Sequence, residues 1–203
     1  MAGSNIVTFV TILILIAAAY AYYQSKTGDL VYVTSEVDGQ QCLVRDLPDK
    51  QQACNMLSKI RQNMMVLTNH LYKEYPDDPA IHRLKQRYDP YKIIETISGD
   101  KNTSYTINKG EKMVLCLRAR DGHEKLEREN TMMFVSLHEL AHIMSKSIGH
   151  EDDEFWRNFK FILKHAQNLG MYNNVNYQQE PVKYCGMMIT DSPLNDASIK
   201  LKK

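Results

Sequence analysis

The stretch Ser136-Leu137-His138-Glu139-Leu140-Ala141-His142 constrains this chain more than any other part of it. Residues four apart on a helix lie on one face, so the imidazoles of His138 and His142 can reach a single ion, and Glu139, beside the first of them, can contact a water on that ion. A catalytic zinc site takes three protein ligands and leaves its fourth position to water. His150 is the best third ligand, and Gly149 before it is expected to supply the positive φ that ends the helix and turns the chain back. The acidic run Glu151-Asp152-Asp153-Glu154, together with His165 and Glu180, offers weaker candidates for the same place. Met133, Phe134, Leu137, Leu140, Ala141 and Met144 give the helix a core-facing side, and no proline interrupts it. The competing reading makes these histidines accidental or merely structural. The assignment adopted is zinc (Zn2+) held by His138, His142 and His150, with Glu139 as the catalytic base.

With Gly149-His150 and then Phe155-Trp156 downstream, the HExxH stretch resembles the small zinc-peptidase group that includes the WLM, SprT and YgjP-like domains. Ser104-Tyr-Thr-Ile-Asn-Lys-Gly110, Leu115-Cys-Leu-Arg118 and Pro181-Val-Lys-Tyr-Cys-Gly186 further resemble WLM-type metallopeptidases of large DNA viruses, so the likeness covers about residues 30 to 195. It implies an α+β, zincin-like fold, with a few antiparallel strands beside the HExxH helix, and hydrolysis of peptide bonds. Two spacings depart from the pattern. His150 lies farther from His142 than in many WLM sequences, and the aromatic follows it after four residues where three is commoner.

At 203 residues the chain is long enough for one domain with a sizeable core, expected over 30–203 behind an anchor and short linker over 1–29. A formal charge of +1 excludes a strongly basic nucleic-acid surface, and no direct nucleic-acid contact is expected. Ile6 to Tyr23 is uncharged and about 27 Å long as a helix, enough to reach across a lipid bilayer. A cleaved signal peptide is the rival reading, because Ala19-Tyr20-Ala21 resembles a cleavage site, but no Lys or Arg precedes the run. The expectation is therefore a single-pass membrane protein. Lys26, Arg45 and Lys50 beyond the span place its domain in the cytosol or on the interior side of a virion.

Leu30 to Ser35 and Gln41 to Arg45 read as a hairpin across Asp38-Gly39. Asp49 to Tyr75 repeats apolar residues at helical spacing, and Pro76-Asp-Asp-Pro79 marks a turn. Ala80 to Arg87 follows as a short helix, and Lys92 to Ile97, Ser104 to Ile107 and Lys112 to Leu117 read as strands. Of these, Met113 to Leu117 is the better candidate for the strand that borders the cleft and pairs with an extended substrate, with an ordinary core strand as the alternative reading. Asp153 to Asn168 forms an amphipathic helix closed by Gly170, in which Trp156 packs towards the zinc helix, and the tail beyond reads as irregular or extended. Cys42, Cys54, Cys116 and Cys185 show no metal spacing and, in a cytosolic setting, would be mostly reduced and buried. Tyr184 is either a packing residue or a donor to an oxyanion.

These readings converge on a membrane-anchored zinc metallopeptidase acting on a protein or peptide substrate. The alternative is a catalytically silent structural protein of a membrane or viral particle, with viral structural proteins as partners. The presence of Glu139 favours the enzyme.

Overall fold

The helical and alternating patterns resolve into five helices and seven strands in a computed structural model that describes residues 2–147 and 149–202, with the backbone alone described at 2–5 and 23–27. After α1 (Ala2–Thr27), the hairpin β1 (Leu30–Thr34) and β2 (Gln41–Arg45) leads into α2 (Lys50–Glu74). The apolar stripe of α2, from Ala53 through Leu57, Ile60, Met64 and Leu67 to Leu71, is buried throughout. α3 (Pro79–Arg87) starts where Asp78 accepts hydrogen bonds from the amides of Ala80 and Ile81, with Pro79 pre-set for the first turn.

β3 (Ile93–Glu95), β4 (Tyr105–Ile107) and β5 (Lys112–Leu115) complete a five-stranded sheet of order β1-β2-β3-β5-β4. Within this sheet the expectation of antiparallel strands holds for β1 with β2 and β4 with β5, whereas β3 runs parallel to both β2 and β5. The helices α2 and α3 between β2 and β3 supply the long crossover that a parallel pair needs. α4 (Glu129–Met144) is buried on nearly every face and packs against α2, α3, α5 (Asp153–Asn168) and β4. It carries the HExxH stretch, so the site is set in the centre of the core.

α4 does not run on to Gly149. It stops at Met144, where the Ser145 amide and hydroxyl both donate to the Ala141 carbonyl, at 3.0 and 2.8 Å, and Asn158 donates to the Ser145 oxygen. Gly149 is not in the left-handed region, so a buried serine cap ends this helix. Gly170 does close α5, with φ +70°.

The tail is not irregular throughout. β6 (Val182–Tyr184) and β7 (Met187–Ile189) form an antiparallel hairpin around Cys185 and Gly186, at φ +45° and +83°, the pair of positive values that a two-residue turn of this hand requires. Cys185 is joined to Cys116 by a disulfide, whereas Cys42 and Cys54 are free and buried. Of the four cysteines, expected to be mostly reduced in a cytosolic setting, one pair is thus joined. The partners lie 69 residues apart and show no motif, and only the fold brings their Cα atoms to 6.3 Å.

The single-pass membrane assignment is also corrected: among the described residues no helix is long and apolar enough to cross a membrane. The strongly apolar part of α1 runs only from Ile6 to Ile16 with Thr8 and Thr11 inside it, about 16 Å of helix against roughly 30 Å of hydrocarbon. Alanines and tyrosines follow, and the helix continues through 24–27, where a linker is expected. The cytosolic or virion-interior placement and the bilayer as partner lose their basis with the anchor. Tyr23 and Lys26, which enter that argument, have side chains outside the described residues.

Candidate metal centre

The four-residue spacing on α4 sets the Nε2 atoms of His138 and His142 3.2 Å apart, and the chain returning from Ser145 brings His150 Nε2 to 3.0 Å from the first and 2.9 Å from the second. Ligand nitrogens arranged tetrahedrally at 2.0–2.1 Å from a zinc ion would stand about 3.3 Å from one another, so the triangle is close to the size such an ion needs. A neutral imidazole has one donor and one acceptor nitrogen, and three rings that all turn Nε2 to a common point aim lone pairs where a cation fits. Burial and the neighbouring imidazoles push the pKa of His138 down to about 3 and that of His142 to about 4, and burial lowers His150. The rings are therefore neutral and able to ligate at ordinary pH.

Phe155 packs against all three rings, with centroids 5.0 Å from His138, 4.4 Å from His142, on which it stacks, and 4.6 Å from His150. The Trp156 indole donates to the His150 carbonyl at 2.8 Å. This aromatic pair at the start of α5 thus fixes the rings and the loop that delivers the third of them. Trp156 packs against the core and also lines a cavity.

Glu139, 4% exposed, accepts from the Thr106 hydroxyl at 2.9 Å through Oε2, and burial raises its carboxyl to about 7 despite that bond. Thr106 belongs to β4, at the edge of the sheet. Met113 donates its amide to Lys92 and Leu115 accepts from Thr96, so both turn their backbone groups towards β3. Alternation along β5 then leaves Val114 and Lys112 to pair with Tyr105 and Ile107, and the N–H and C=O of Thr106, opposite Met113, point away from the sheet. The strand free to pair beside the site is therefore β4. Met113 to Leu117, the expected candidate, is enclosed between β3 and β4 as far as it is a strand.

Over 199 residues the chain is 31% identical to an uncharacterized protein of Acanthamoeba polyphaga mimivirus, with 95% of this chain and 99% of that one covered. Residues 100–197 match the WLM domain. The chain belongs to the WLM domain family. The match begins before β4 and ends beyond β7, so it contains every residue of the site described above. Shorter similarities join it to uncharacterized proteins of two invertebrate iridescent viruses, 38% identical over 71 residues in type 6 and 48% over 67 in type 3. They cover 34% and 32% of this chain and 39% and 37% of those proteins. No solved structure matches. WLM domains form a metallopeptidase-like family, and a histidine triad able to hold a metal ion is present in this one.

The other ligand candidates lie elsewhere in the WLM chain. Glu154 pairs with Arg83 at 2.6 Å and accepts from the Lys146 amide, and His165 contacts the Tyr75 hydroxyl at 3.3 Å. Among the described residues, His138, His142 and His150 form the one group of three suited to a metal, and neither Glu180 nor the acidic run joins it. Tyr184 is buried, with its hydroxyl 2.5 Å from that of Ser104, which accepts the Cys116 amide at 3.0 Å; it shares a cavity wall with Glu139 and His138. Thr106 and Ser104 were not marked as site residues by the sequence, since a hydroxyl in a short strand carries no signal of the carboxylate it will meet. Lys109 was missed too: its ammonium caps the Ser145 and Ser147 carbonyls beyond α4, next to Arg83 on the Met144 carbonyl.

Proposed function

We propose that this WLM chain is a zinc-dependent peptidase that cleaves a protein or peptide substrate, with His138, His142 and His150 holding the metal and Glu139 acting as general base. The observation that carries the reading is the convergence of three neutral imidazole nitrogens next to a buried carboxylate, beneath an unpaired strand edge. Bound to the three rings, zinc would supply Lewis acidity and bring the pKa of a water in its open position towards about 7.

The chain's own residues do the rest. Thr106 engages Glu139 Oε2, so Oε1 is the atom left to take a proton and return it to the leaving amine. Burial raises this carboxyl and the charge of a bound zinc would lower it, which leaves it ionised to accept the proton at neutral pH. The outward N–H and C=O of Thr106 can bond an extended peptide along β4, which orients a peptide group across the triad and links substrate position to the residue that orients Glu139. Phe155 and the core around α4 keep water from the inner side of the rings.

The test is metal analysis of the purified full chain, followed by incubation of the zinc-loaded protein with a mixed peptide library. One equivalent of zinc and zinc-dependent cleavage are expected. Absence of stoichiometric zinc removes the reading. Zinc without cleavage of any peptide favours the catalytically silent structural protein.

A further inference from the structure

The triad is flanked by two hollows that share Ser104, His138, Glu139 and His150 and differ in the rest of their walls. On one side, Ser104, Tyr105, Thr106, Asn108 and Lys109 surround a hollow of about 430 Å³ that reaches His142. On the other, His138 and Glu139 open onto a cavity of about 580 Å³ walled by Phe134, Val135, Trp156, Phe159 and the β7 residues Met188 and Ile189. A cavity of this size and lining has room for a large apolar side chain.

We infer that the larger cavity is a side-chain subsite, and that the substrate is a peptide with a large apolar residue, leucine, methionine or phenylalanine, next to the scissile bond on that one side. The inference rests on the peptidase reading. Three features decide for this occupant. The cavity begins at the proposed base and first ligand, so a peptide group lying over the triad and paired with Thr106 delivers its neighbouring side chain there. Its outer wall is Met187 and Met188, 47% and 44% exposed, flexible thioethers that adapt to several apolar shapes. Its lining includes Asp191 and Asp196, so an acidic side chain would lose its hydration and meet like charge.

Trp156 is the only tryptophan of the chain and lines this cavity, so its fluorescence reports occupancy without turnover. The experiment uses full-length zinc-loaded Glu139→Gln and two capped pentapeptides, each four alanines around a central leucine or a central aspartate. The leucine peptide is expected to shift Trp156 emission and bind about 10-fold or more tightly, the ratio that burying one such side chain supplies. Met188→Asp in the same background should remove most of that preference while zinc stays stoichiometric. Equal binding of the two peptides, or a preference untouched by Met188→Asp, overturns the subsite. Library cleavage by the wild type separates this from failure of the peptidase reading. Cleavage without an apolar preference beside the scissile bond refutes the subsite and keeps the peptidase. No cleavage with leucine-selective binding keeps the subsite and refutes the peptidase.

Discussion

The two walls of the site are built by different means. The α4 wall, with His138, Glu139 and His142, is held by burial: the helix lies among α2, α3, α5 and β4, and its side chains have almost no freedom to leave. The opposite wall, the loop to His150 and the segment 182–199, buries fewer side chains, Tyr184, Cys185 and Ile189 among them, and relies more on discrete ties: the Trp156 indole on the His150 carbonyl, the Cys116–Cys185 disulfide, and the Lys160 ammonium on the Asp196 and Ile199 carbonyls. Loss of one contact in the first wall is spread over a packed core, whereas loss of one tie in the second frees a segment. The first wall should thus fix what the site is, and the second how tightly it closes.

The largest effect should come from the helix pair. His138→Ala or His142→Ala is expected to abolish stoichiometric zinc, whereas His150→Ala keeps two rings in register and should retain a weakened, measurable affinity. Competition with a chromophoric chelator checks both. Identical loss in all three variants would break the contrast between the walls. Next, Glu139→Gln should keep one equivalent of zinc and reduce turnover of any cleaved peptide by about 10²–10⁴-fold, the range of a lost general base. An unchanged rate removes Glu139 from that role.

A third effect belongs to the second wall. The disulfide closes a loop of 69 residues, for which chain entropy gives about 4 kcal/mol. The Cys116→Ala/Cys185→Ala double variant should therefore unfold at clearly lower urea concentration than wild type, and reductant should shift the wild type towards it and leave the variant unmoved. Zinc stoichiometry should survive, because none of the three ligands lies on the hairpin. Zinc lost together with the disulfide would mean that the two walls depend on each other.

The same division explains what the sequence could reveal. Elements stabilised locally were legible: the α2 stripe from Ala53 to Leu71 and α5 over Asp153–Asn168 follow from helical spacing, and the ligand pair follows from a four-residue interval on one helix. Features made by distant segments were not. Which strand lies at the edge depends on β5 pairing with β3, so Met113 to Leu117 looked a better candidate than Ser104 to Ile107. The bond between Cys116 and Cys185, the bond from Thr106 to Glu139, and the end of α4 at Ser145 by way of Asn158 each depend on residues far apart in the chain. His150 was found by its residue type, but its spacing did not indicate that Trp156 would hold its carbonyl.

That last tie gives the smallest and most selective test. Trp156→Phe keeps an aromatic ring at the start of α5 and removes only the indole N–H that donates to the His150 carbonyl. His150 is the exposed member of the triad, so its position depends on this bond more than the helix-borne rings depend on any one contact. Outer-shell hydrogen bonds of this kind typically change metal affinity by about 10–100-fold. Trp156→Phe should lie within that range of the wild type while urea stability changes little, since the core contacts of Phe155 and Phe159 remain. Combined with His150→Ala, it should cost almost nothing further, because the ring that it orients is gone. Additive losses in the double variant would show instead that Trp156 supports the site through packing, and the second wall would then be held by burial like the first.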